Sequence, residues 1–546
     1  MSISNWNIWI LAALIYTQFW AVGVAAPALA LAPAPAHARW NDCLIPPLEN
    51  TTADELGGFL KGECFYSVDL VDAYDNRLQG NDPAFTTVTE MNRDAMNIAA
   101  QLDAERRQKK VRGPLHGLPV LIKDMIATRD GMGTSAGSWA LVGARPSAES
   151  TVAAKLRENG LIIFGKSSMS EWANFRSLNS SNGWCGITIQ SYGGYYPRQD
   201  PSGSSSGSAV AVDMSYILFA LGTETSGSIV LPSERNNIVG IKPTVGLVSR
   251  YMVIPISERQ DTIGPMAKTV KDAAMLLQAI AGPDPKDNYT TASPFGDNLP
   301  DYAAACKTSG LHGKRIGIAR NVIDSLGASG APVVAAFDAA LSVISNAGAT
   351  IIDNTNFTAY SAFLQSQEPT YVEAADFTSG IAGYLASLET NPHGLRNVED
   401  IRSFTQHSPD EEYPSRDTGV WDQVIAAGIN NTSPAFWPLY QRALYFGEEG
   451  GLLGALSRNQ LDAIILPTLV ASEIPAIVGT PIITVPLGAY PEGTPIEHNA
   501  RGNLVQKAPG IPFGISFLGP KWSEEALIGM AYAFEQRTRV RFQLGR

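Results

Sequence analysis

Apolar residues first recur at helical spacing along the chain and then change to short continuous runs. In SVDLVDAYDNRL they lie at Val68, Leu70, Val71, Tyr74 and Leu78, which predicts a helix. The segment AAQLDAERRQKK predicts a second, more polar helix. In GPLHGLPVLIKD, turn residues precede an apolar run at 120–122 that ends at Lys123. This run predicts a buried strand that carries a lysine at its end.

Helical stretches and short apolar strands alternate through the rest of the chain. A helix, a turn at Gly160 and a strand follow one another in STVAAKLRENGLIIFGKSS, and further strands are predicted in GKRIGIA, ATIID and LDAIILPT. This alternation predicts an α/β fold, in which a single large mixed, mostly parallel β-sheet core is covered by α-helices. Residues 359–456 are mostly helical and more polar in pattern, which indicates a cap over the active face.

The N-terminal segment differs from the rest of the chain in composition. Residues 8–32 are uncharged and largely apolar, and an Ala/Pro-rich stretch follows up to Arg39. We interpret residues 1–38 as a secretory signal peptide and Ala/Pro-rich segment, cleaved near Ala25 or Ala38, and residues 39–546 as one domain. The apolar stretch is also long enough for a membrane anchor, so a membrane-anchored protein is the alternative to a secreted one.

Sequons and cysteines also bear on the compartment of the protein. Sequons for N-glycosylation, typical of a secreted glycoprotein, occur at Asn50, Asn179, Asn288, Asn356, Asn430 and Asn431. The four cysteines, Cys43, Cys64, Cys185 and Cys306, are irregularly spaced and form no metal-binding pattern. Cys43 and Cys64 either form a disulfide that ties down the N-terminal segment or remain buried thiols.

The net charge and the residue patterns of the chain argue against several classes of binding partner. The 546 residues have a formal net charge of −12 without a long run of either sign, which argues against nucleic acid. The His, Asp and Glu residues show no ligand spacing such as H-E-x-x-H, so neither a metal nor an organic cofactor is expected. A membrane is expected as a partner only if the N-terminal segment is retained, and no oligomeric state is indicated.

Two loops of very small residues carry the candidate chemistry. The first is DPSGSSSGSAVAVDM, which contains Ser204, and the second is GTETSGSIVLP, which contains Ser228. The buried-looking segment SYILFALGTE follows the first loop, so a flexible linker is a poor interpretation, and its small residues let backbone or substrate approach closely. None of the six histidines has a context that suggests a base beside either serine, and no G-x-S-x-G motif surrounds Ser228. A lysine can act as the base if burial or cationic neighbours lower its pKa, and Lys123 is the candidate.

Taken together, these segments resemble the amidase signature family. GPLHGLPVLIKD, GSSSGSAVAV, GTETSGSIVLP and VGIKPTVGLVS occur in the family's order with similar spacing, and weaker matches extend from about Tyr66 to ITVPLG and GIPFGISFLG. The resemblance implies that residues 39–546 form an amidase domain with a Ser–cis-Ser–Lys triad. In this triad Lys123 is the base, Ser204 is the bridging serine after a cis peptide bond, and Ser228 is the nucleophile.

The resemblance also implies an acyl-enzyme mechanism that releases ammonia or an amine. Neutral Lys123 takes a proton from Ser204, and Ser204 takes one from Ser228 as it attacks the amide carbonyl. The substrate and its oxyanion are expected to lie against Ser204 and against the backbone N–H groups of the second loop. The loop residues in this prediction are Thr225, Ser226, Gly227 and Ser228.

The second loop departs from the common family pattern. Many members have Asp-Thr-Gly-Gly-Ser-Ile-Arg where this chain has Glu224-Thr225-Ser226-Gly227-Ser228-Ile229-Val230, so a charged pair is lost and Ser226 adds a side chain. The segments MSEWANFR and GLVSR resemble those of peptide amidases, which hydrolyse the C-terminal carboxamide of peptides. A peptide amide or a similar small amide is therefore the expected substrate. Fatty-acid or aryl amide hydrolysis, biosynthetic acyl transfer and a catalytically silent binding protein are the alternatives.

The segment SEWANFR leaves two interpretations open. Trp172 and Phe175 are either core residues or contacts to the substrate. Arg176 either binds a carbonyl or carboxylate of the substrate or pairs with an acidic side chain.

Overall fold

The computed structural model describes residues 44–82 and 86–544. The predicted signal segment 1–38 and Cys43, the predicted disulfide partner of Cys64, lie outside the described residues. Cys64 is disulfide-bonded, whereas Cys185 and Cys306 are free thiols. The chain from Leu44 onward clusters as one unit, Leu44–Arg546.

The strands vary from two to eight residues in length. They are β1 (Val88–Met91), β2 (Pro119–Lys123), β3 (Arg145–Pro146), β4 (Ile162–Ser167), β5 (Trp184–Cys185), β6 (Ile189–Gln190), β7 (Phe219–Glu224), β8 (Val239–Lys242), β9 (Thr262–Ala267), β10 (Arg315–Ile318), β11 (Thr350–Ile352), β12 (Leu388–Thr390), β13 (Ala463–Pro467), β14 (Ile482–Ala489), β15 (Glu497–His498), β16 (Val505–Lys507) and β17 (Pro512–Leu518). The strands predicted at 120–122 and in GKRIGIA, ATIID and LDAIILPT are confirmed as β2, β10, β11 and β13.

Helices alternate with these strands. They are α1 (Ala53–Lys61), α2 (Ser67–Asn81), α3 (Ala95–Arg107), α4 (Thr151–Glu158), α5 (Ser206–Asp213), α6 (Val230–Arg235), α7 (Val270–Ile280), α8 (Arg320–Ile323), α9 (Ala331–Asn346), α10 (Tyr360–Phe363), α11 (Glu368–Ala386), α12 (Val398–His407), α13 (Gly419–Ala427), α14 (Phe436–Gly447), α15 (Leu452–Asn459), α16 (Glu473–Val478), α17 (Glu524–Thr538) and α18 (Val540–Gln543). The three helices predicted from periodicity in the first 160 residues are confirmed as α2, α3 and α4.

Eleven of the strands form one sheet in the order β1-β4-β2-β7-β9-β8-β14-β17-β13-β10-β11. The predicted single large mixed sheet covered by helices is confirmed. Its parallel share is smaller than expected, because four of the ten pairings are parallel and six are antiparallel. Residues 243–261, between β8 and β9, contain no helix that could return the chain for a parallel pairing, so these strands pair antiparallel.

The centre of the sheet brings three chain segments to one edge. Strands β2 and β7 are buried throughout and run parallel, with Ile122 paired with Leu221, so their carboxyl ends meet. Strand β9 runs antiparallel to β7 and starts beside its end, where Thr262 pairs with Glu224. Lys123, the loop after β7 and the loop before β9 therefore lie together at this edge.

Small residues let helix α5 lie deep in the molecule. Every residue of α5 is buried, and the helix packs against β2, β4, β7 and β9. A Cβ atom on Gly207 would lie 2.5 Å from the carbonyl oxygen of Thr87, closer than side-chain carbons approach an oxygen. The Gly/Ser composition of the first loop is therefore required by close packing, as the sequence analysis predicted.

The segment 359–456 is helical, as predicted, and contains α10–α14. It packs on the sheet domain through a second apolar cluster that includes Trp172, Phe377, Ile401 and Trp421. The rings of Trp172 and Trp421 meet edge to face with 5.8 Å between their centres. Aromatic burial of this kind fixes the helices of this segment beside the edge that carries Lys123.

One helical stretch among the described residues, Ala328–Asn346, is long and apolar enough to cross a membrane. It contains α9, whose Val333, Phe337, Ala340 and Ile344 are buried in the main core. Helix α9 packs against β13, β14 and α17, which accounts for its apolar face.

Candidate functional site

Lys123 ends strand β2 with its side chain fully buried. Its Nζ lies 2.7 Å from Ser204 Oγ and 3.1 Å from the carbonyl oxygen of Thr223. Burial lowers the pKa of Lys123 to about 7, although the negative charges of Glu224 and Asp261 act in the opposite direction. A substantial fraction of Lys123 is therefore neutral near pH 7 and able to accept a proton.

Ser204 is held between Lys123 and the second loop. The Gly203–Ser204 peptide bond is cis, as the family resemblance implies, and Ser204 is fully buried. The backbone N–H of Ser170 donates to the Ser204 carbonyl at 3.0 Å, and the N–H of Ser205 donates to the Ser228 carbonyl at 3.1 Å. These two backbone bonds fix the first loop and join it to the loop that carries Ser228.

The loop after β7 folds around the carboxylate of Glu224, which is 1% exposed. Glu224 accepts hydrogen bonds from the backbone N–H groups of Gly227 at 2.8 Å, Ile229 at 2.7 Å and Val230 at 3.0 Å. A carboxylate bound by three backbone N–H groups forms strong, charge-assisted hydrogen bonds that hold the turn rigid. In the sequence Glu224 stands out only as a departure from the family pattern, and its organising role depends on the folded turn.

This geometry assigns the N–H groups of the loop. The N–H of Gly227 is engaged by Glu224, and Gly227 is needed for its φ of +83° and because a Cβ atom would lie 2.5 Å from Leu231 Cδ1. Among the described residues, no hydrogen bond engages the backbone N–H groups of Thr225, Ser226 and Ser228. Of the four predicted loop residues, these three keep a candidate donor to a substrate oxyanion, whereas Gly227 does not.

Ser228 and its loop border the solvent-accessible part of the site. Ser228 is 9% exposed, in contrast to the fully buried Lys123 and Ser204. Ser226 lines a cavity of about 380 Å³ together with Gln260 and Glu373. Thr223 and Thr225 line a second cavity of about 220 Å³. A larger cavity of about 480 Å³ borders Asp124, and Lys123, Ser204 and Ser228 are not among the lining residues of any of these three cavities.

The loop before β9 supports the site from the other side. Asp261 accepts a hydrogen bond from Thr225 Oγ1 at 2.6 Å and from the N–H groups of Ile256 and Ser257 at 2.8 and 3.0 Å. Ser257 Oγ in turn donates to Asp376 of α11 at 2.7 Å. Asp261 therefore joins the second loop to the helical segment, which the sequence analysis missed. The polar run ERQD immediately before a buried strand was the available signal.

The segment 170–176 has a structural part in the fold. Trp172 is fully buried in the second apolar cluster, and Phe175 packs against Phe377 with 4.8 Å between ring centres. Arg176 is 2% exposed and pairs with Glu171 and, at 2.8 Å, with Glu411. The interpretations as core residues and as an acid-paired arginine are therefore the correct ones.

Among the residues that the structure describes, no group of three or more His, Cys, Asp or Glu side chains is arranged to hold a metal ion. The chemical groups gathered at this edge are a partly neutral lysine, two serines and free backbone N–H groups. Such a set can transfer protons and form an ester with an acyl group.

Comparison with known proteins agrees with this geometry. Residues 69–528 match the family model Amidase. A putative amidase of Arthroderma benhamiae is 53% identical over 525 residues, with 92% of this chain and 88% of that protein covered. A probable amidase of Arabidopsis thaliana is 36% identical, with 90% and 91% covered. The X-ray structure of native peptide amidase from Stenotrophomonas maltophilia superposes with a TM-score of 0.81 at 36% identity, covering 90% of this chain and 98% of that one. The chain therefore belongs to the amidase family of amide-bond hydrolases.

Proposed function

We propose that this amidase works through an acyl-enzyme formed on Ser228, with Lys123 as the base and Ser204 as the proton relay. The observation that carries the proposal is the 2.7 Å contact between Lys123 Nζ and Ser204 Oγ. The burial that lowers the pKa of Lys123 to about 7 supplies a neutral amine at that contact.

The proton transfers balance over the two half-reactions. Lys123 accepts the proton of Ser204 while Ser204 accepts that of Ser228, and Ser228 Oγ bonds to the amide carbon. The carbonyl oxygen becomes an oxyanion within reach of the Ser226 and Ser228 N–H groups. Lys123 returns its proton through Ser204 to the leaving nitrogen, and the C–N bond breaks. Water then adds to the ester by the same relay and releases the carboxylic acid.

A C-terminal peptide amide, or a small amide like it, is the proposed substrate. The likeness to the Stenotrophomonas maltophilia peptide amidase, at 36% identity over most of both chains, supports this substrate class. The cavity of about 380 Å³ beside Ser226 has the volume of a short peptide segment. Hydrolysis of such an amide yields ammonia and a peptide acid.

The test is ammonia release from four amide classes: peptide C-terminal amides, short aliphatic amides, aryl amides and a long-chain acyl amide. Wild-type protein is compared with Ser228→Ala and with Ser309→Ala, a matched change of an exposed serine in a remote turn. We expect turnover of peptide amides in wild type and Ser309→Ala, and a loss of at least about 10³-fold in Ser228→Ala. Turnover of another class that is lost with Ser228 would keep the mechanism and reject the peptide substrate. Full activity in Ser228→Ala would reject the mechanism.

We also infer that the protein is secreted and glycosylated. The disulfide of Cys64 is typical of an oxidising compartment. Four of the sequon asparagines are exposed: Asn50, Asn179, Asn288 and Asn356. The test is expression of the full chain in a eukaryotic host, followed by treatment of the medium fraction with an N-glycan-removing enzyme. A lower mass after treatment is expected, and retention of an unglycosylated protein inside the cells would contradict the inference.

A further inference from the structure

The cavity beside Ser226 is lined by both acidic and apolar side chains. Its walls come from the second loop, the loop before β9, the end of α10, the start of α11 and helix α16. The lining residues that matter here are Ser226, Gln260, Phe363, Glu373, Glu473 and Ile477. Ser226 lies two positions before Ser228, so this cavity borders the loop that carries the proposed nucleophile, although Ser228 itself does not line it.

Gln260 presents an unused acceptor to this cavity. It is 2% exposed, and its Oε1 has no hydrogen-bond partner among the described residues. A buried amide oxygen without a partner has lost its hydrogen bond to water, and a donor from a ligand would replace that bond. The Gln260 N–H donates to the Ser257 carbonyl at 3.2 Å, and the Gln260 side chain forms a hydrogen bond with Glu373, so the amide is held in place.

Glu373 and Glu473 add two carboxylates to the same cavity. Burial, together with the negative charges of Asp261, Asp376 and Glu473, raises the pKa of Glu373 to about 7. Glu473 is exposed at the rim of the cavity, where partial desolvation raises its pKa. In the part of the chain that the structure describes, neither carboxylate forms an ion pair. The two carboxylates repel each other when both are ionised. A cation placed between them would offset this repulsion and keep both carboxylates ionised.

The cations of the neighbouring elements are already engaged. Arg259 pairs with Asp376 and with Glu258 at 2.8 Å, and its guanidinium lies over the ring of Phe436. Arg442 pairs with Glu368 at 3.2 Å. The lining of the cavity thus combines three acceptor side chains with no free cation among the described residues.

We propose that this cavity binds a positively charged group on the acyl part of the substrate, an ammonium or a guanidinium. The proposal deepens the proposed function and rests on it. The leaving group of a primary amide is ammonia, so the cation belongs to the acyl part that stays on Ser228. Glu373, Glu473 and Gln260 accept its N–H groups, and Phe363 and Ile477 cover its methylene chain.

The experiment uses pairs of substrates matched in shape and different in charge. Nα-acetylargininamide is compared with Nα-acetylcitrullinamide, which tests a side-chain cation, and alanyl-leucinamide with its Nα-acetyl form, which tests a terminal ammonium. The acid product is quantified by chromatography for wild type, Glu373→Gln and Glu473→Gln. The matched control is Glu525→Gln, an exposed carboxylate of α17 that does not line the cavity.

In at least one pair we expect the cationic substrate to have the higher kcat/KM by about tenfold, since a charge-assisted hydrogen bond contributes at least this much. Glu373→Gln should lower the ratio of cationic to neutral kcat/KM by about tenfold, with most of the change in KM. Glu525→Gln should leave this ratio unchanged. The pair that responds identifies the source of the cation.

Equal kcat/KM within both pairs in wild type, or a ratio that Glu373→Gln and Glu473→Gln do not change, would overturn the proposal while the amidase mechanism stands. Calorimetric binding of the same amides to Ser228→Ala tests charge selectivity without turnover. Equal affinity for argininamide and citrullinamide, and for the free and acetylated dipeptide amides, overturns the cation site. Tighter binding of a cationic amide supports it even if Ser228 proves not to be the nucleophile, so the two failures are distinguishable.

Discussion

Lys123 can act as a base because strand β2 ends inside the molecule. Burial lowers its pKa to about 7, so the protonated form dominates below that pH and the neutral form above it. We therefore expect kcat/KM to fall as the pH is lowered through about 7. We expect Lys123→Met to lower kcat by about 10²–10⁴-fold, the usual contribution of a general base. The measurement is kcat/KM for a neutral peptide amide between pH 5.5 and 9.

Lys268 provides a matched control for this prediction. Burial also lowers its pKa to about 7, but its Nζ donates to the carbonyl oxygen of Leu48 at 2.6 Å and takes no part in the site. Lys268→Met should leave the acidic limb of the profile in place. An unchanged limb in Lys123→Met, with full activity, would show that another group takes the proton.

At the scale of elements, one carboxylate ties the helical segment to the sheet domain. Glu411 is fully buried and accepts hydrogen bonds from Ser138 Oγ at 2.7 Å and the Trp139 N–H at 2.8 Å, besides its pair with Arg176 at 2.8 Å. Arg176 keeps its pair with Glu171 when Glu411 loses its charge, but a glutamine amide cannot accept all the hydrogen bonds that the Glu411 carboxylate accepts. Because hydrogen bonds to a charged group contribute about 1.5–3 kcal/mol, we expect Glu411→Gln to destabilise the protein by about 2–3 kcal/mol. The measurement is the urea midpoint followed by tryptophan fluorescence.

The next residue supplies the control for Glu411. Glu412 is exposed and forms an ion pair with Arg416 at 3.3 Å. The Arg416 side chain is buried but the Glu412 carboxylate is solvated, so Glu412→Gln should move the midpoint less than Glu411→Gln. Equal effects of the two substitutions would mean that Glu411 does not anchor the segment.

For the molecule as a whole, buried lysines make stability depend on pH. Burial lowers the pKa of Lys123 and Lys268 to about 7 and of Lys166 and Lys242 to about 8. Their unfolded pKa is higher, so at pH 7.5–8.5 the unfolded state binds more protons and the folded state gains stability as the pH rises. We expect the thermal midpoint to rise over this interval. Lys268→Met should reduce the slope of the free energy of unfolding against pH by about 1.4 kcal/mol per pH unit, which is the value for one proton.

Two other sets of groups make stability fall as the pH rises, and so oppose the contribution of the lysines. Glu234, Glu373 and Glu535, whose pKa values burial raises to about 7, retain protons in the folded state near neutrality. Burial raises the pKa of Cys185 to about 11 and of Cys306 to about 12. These thiols stay protonated in the folded state at pH values where the thiols of the unfolded chain ionise, so they make stability fall as the pH rises. A midpoint that falls steadily from pH 7.5 to 8.5 would contradict the lysine contribution.

The sequence could predict those features that depend on local order along the chain. Periodicity indicated α2, α3 and α4, because one face of a helix meets the core at a fixed spacing, and short apolar runs indicated the strands β2 and β10. The small residues around Ser204 and Ser228 pointed to closely packed loops. The family motifs selected Lys123, Ser204 and Ser228. The structure brings Lys123 and Ser204 into contact, and a backbone hydrogen bond joins the loop of Ser204 to the loop of Ser228.

The rest depended on contacts between distant parts of the chain. Antiparallel β9 and β17 reduce the parallel share of the sheet, and no local pattern records which neighbour a strand meets. Glu224 accepts a hydrogen bond from the Gly227 N–H only because the loop turns back on the end of β7.

Gln260, Glu373 and Glu473 come from separate elements, and only packing gathers them beside Ser226. The sequence by itself determined the elements and the reactive residues, because these follow from local pattern and motif. The tertiary structure decided the pKa of Lys123, the free N–H donors and the charge of the cavity, because burial and neighbouring charge exist only in the folded chain.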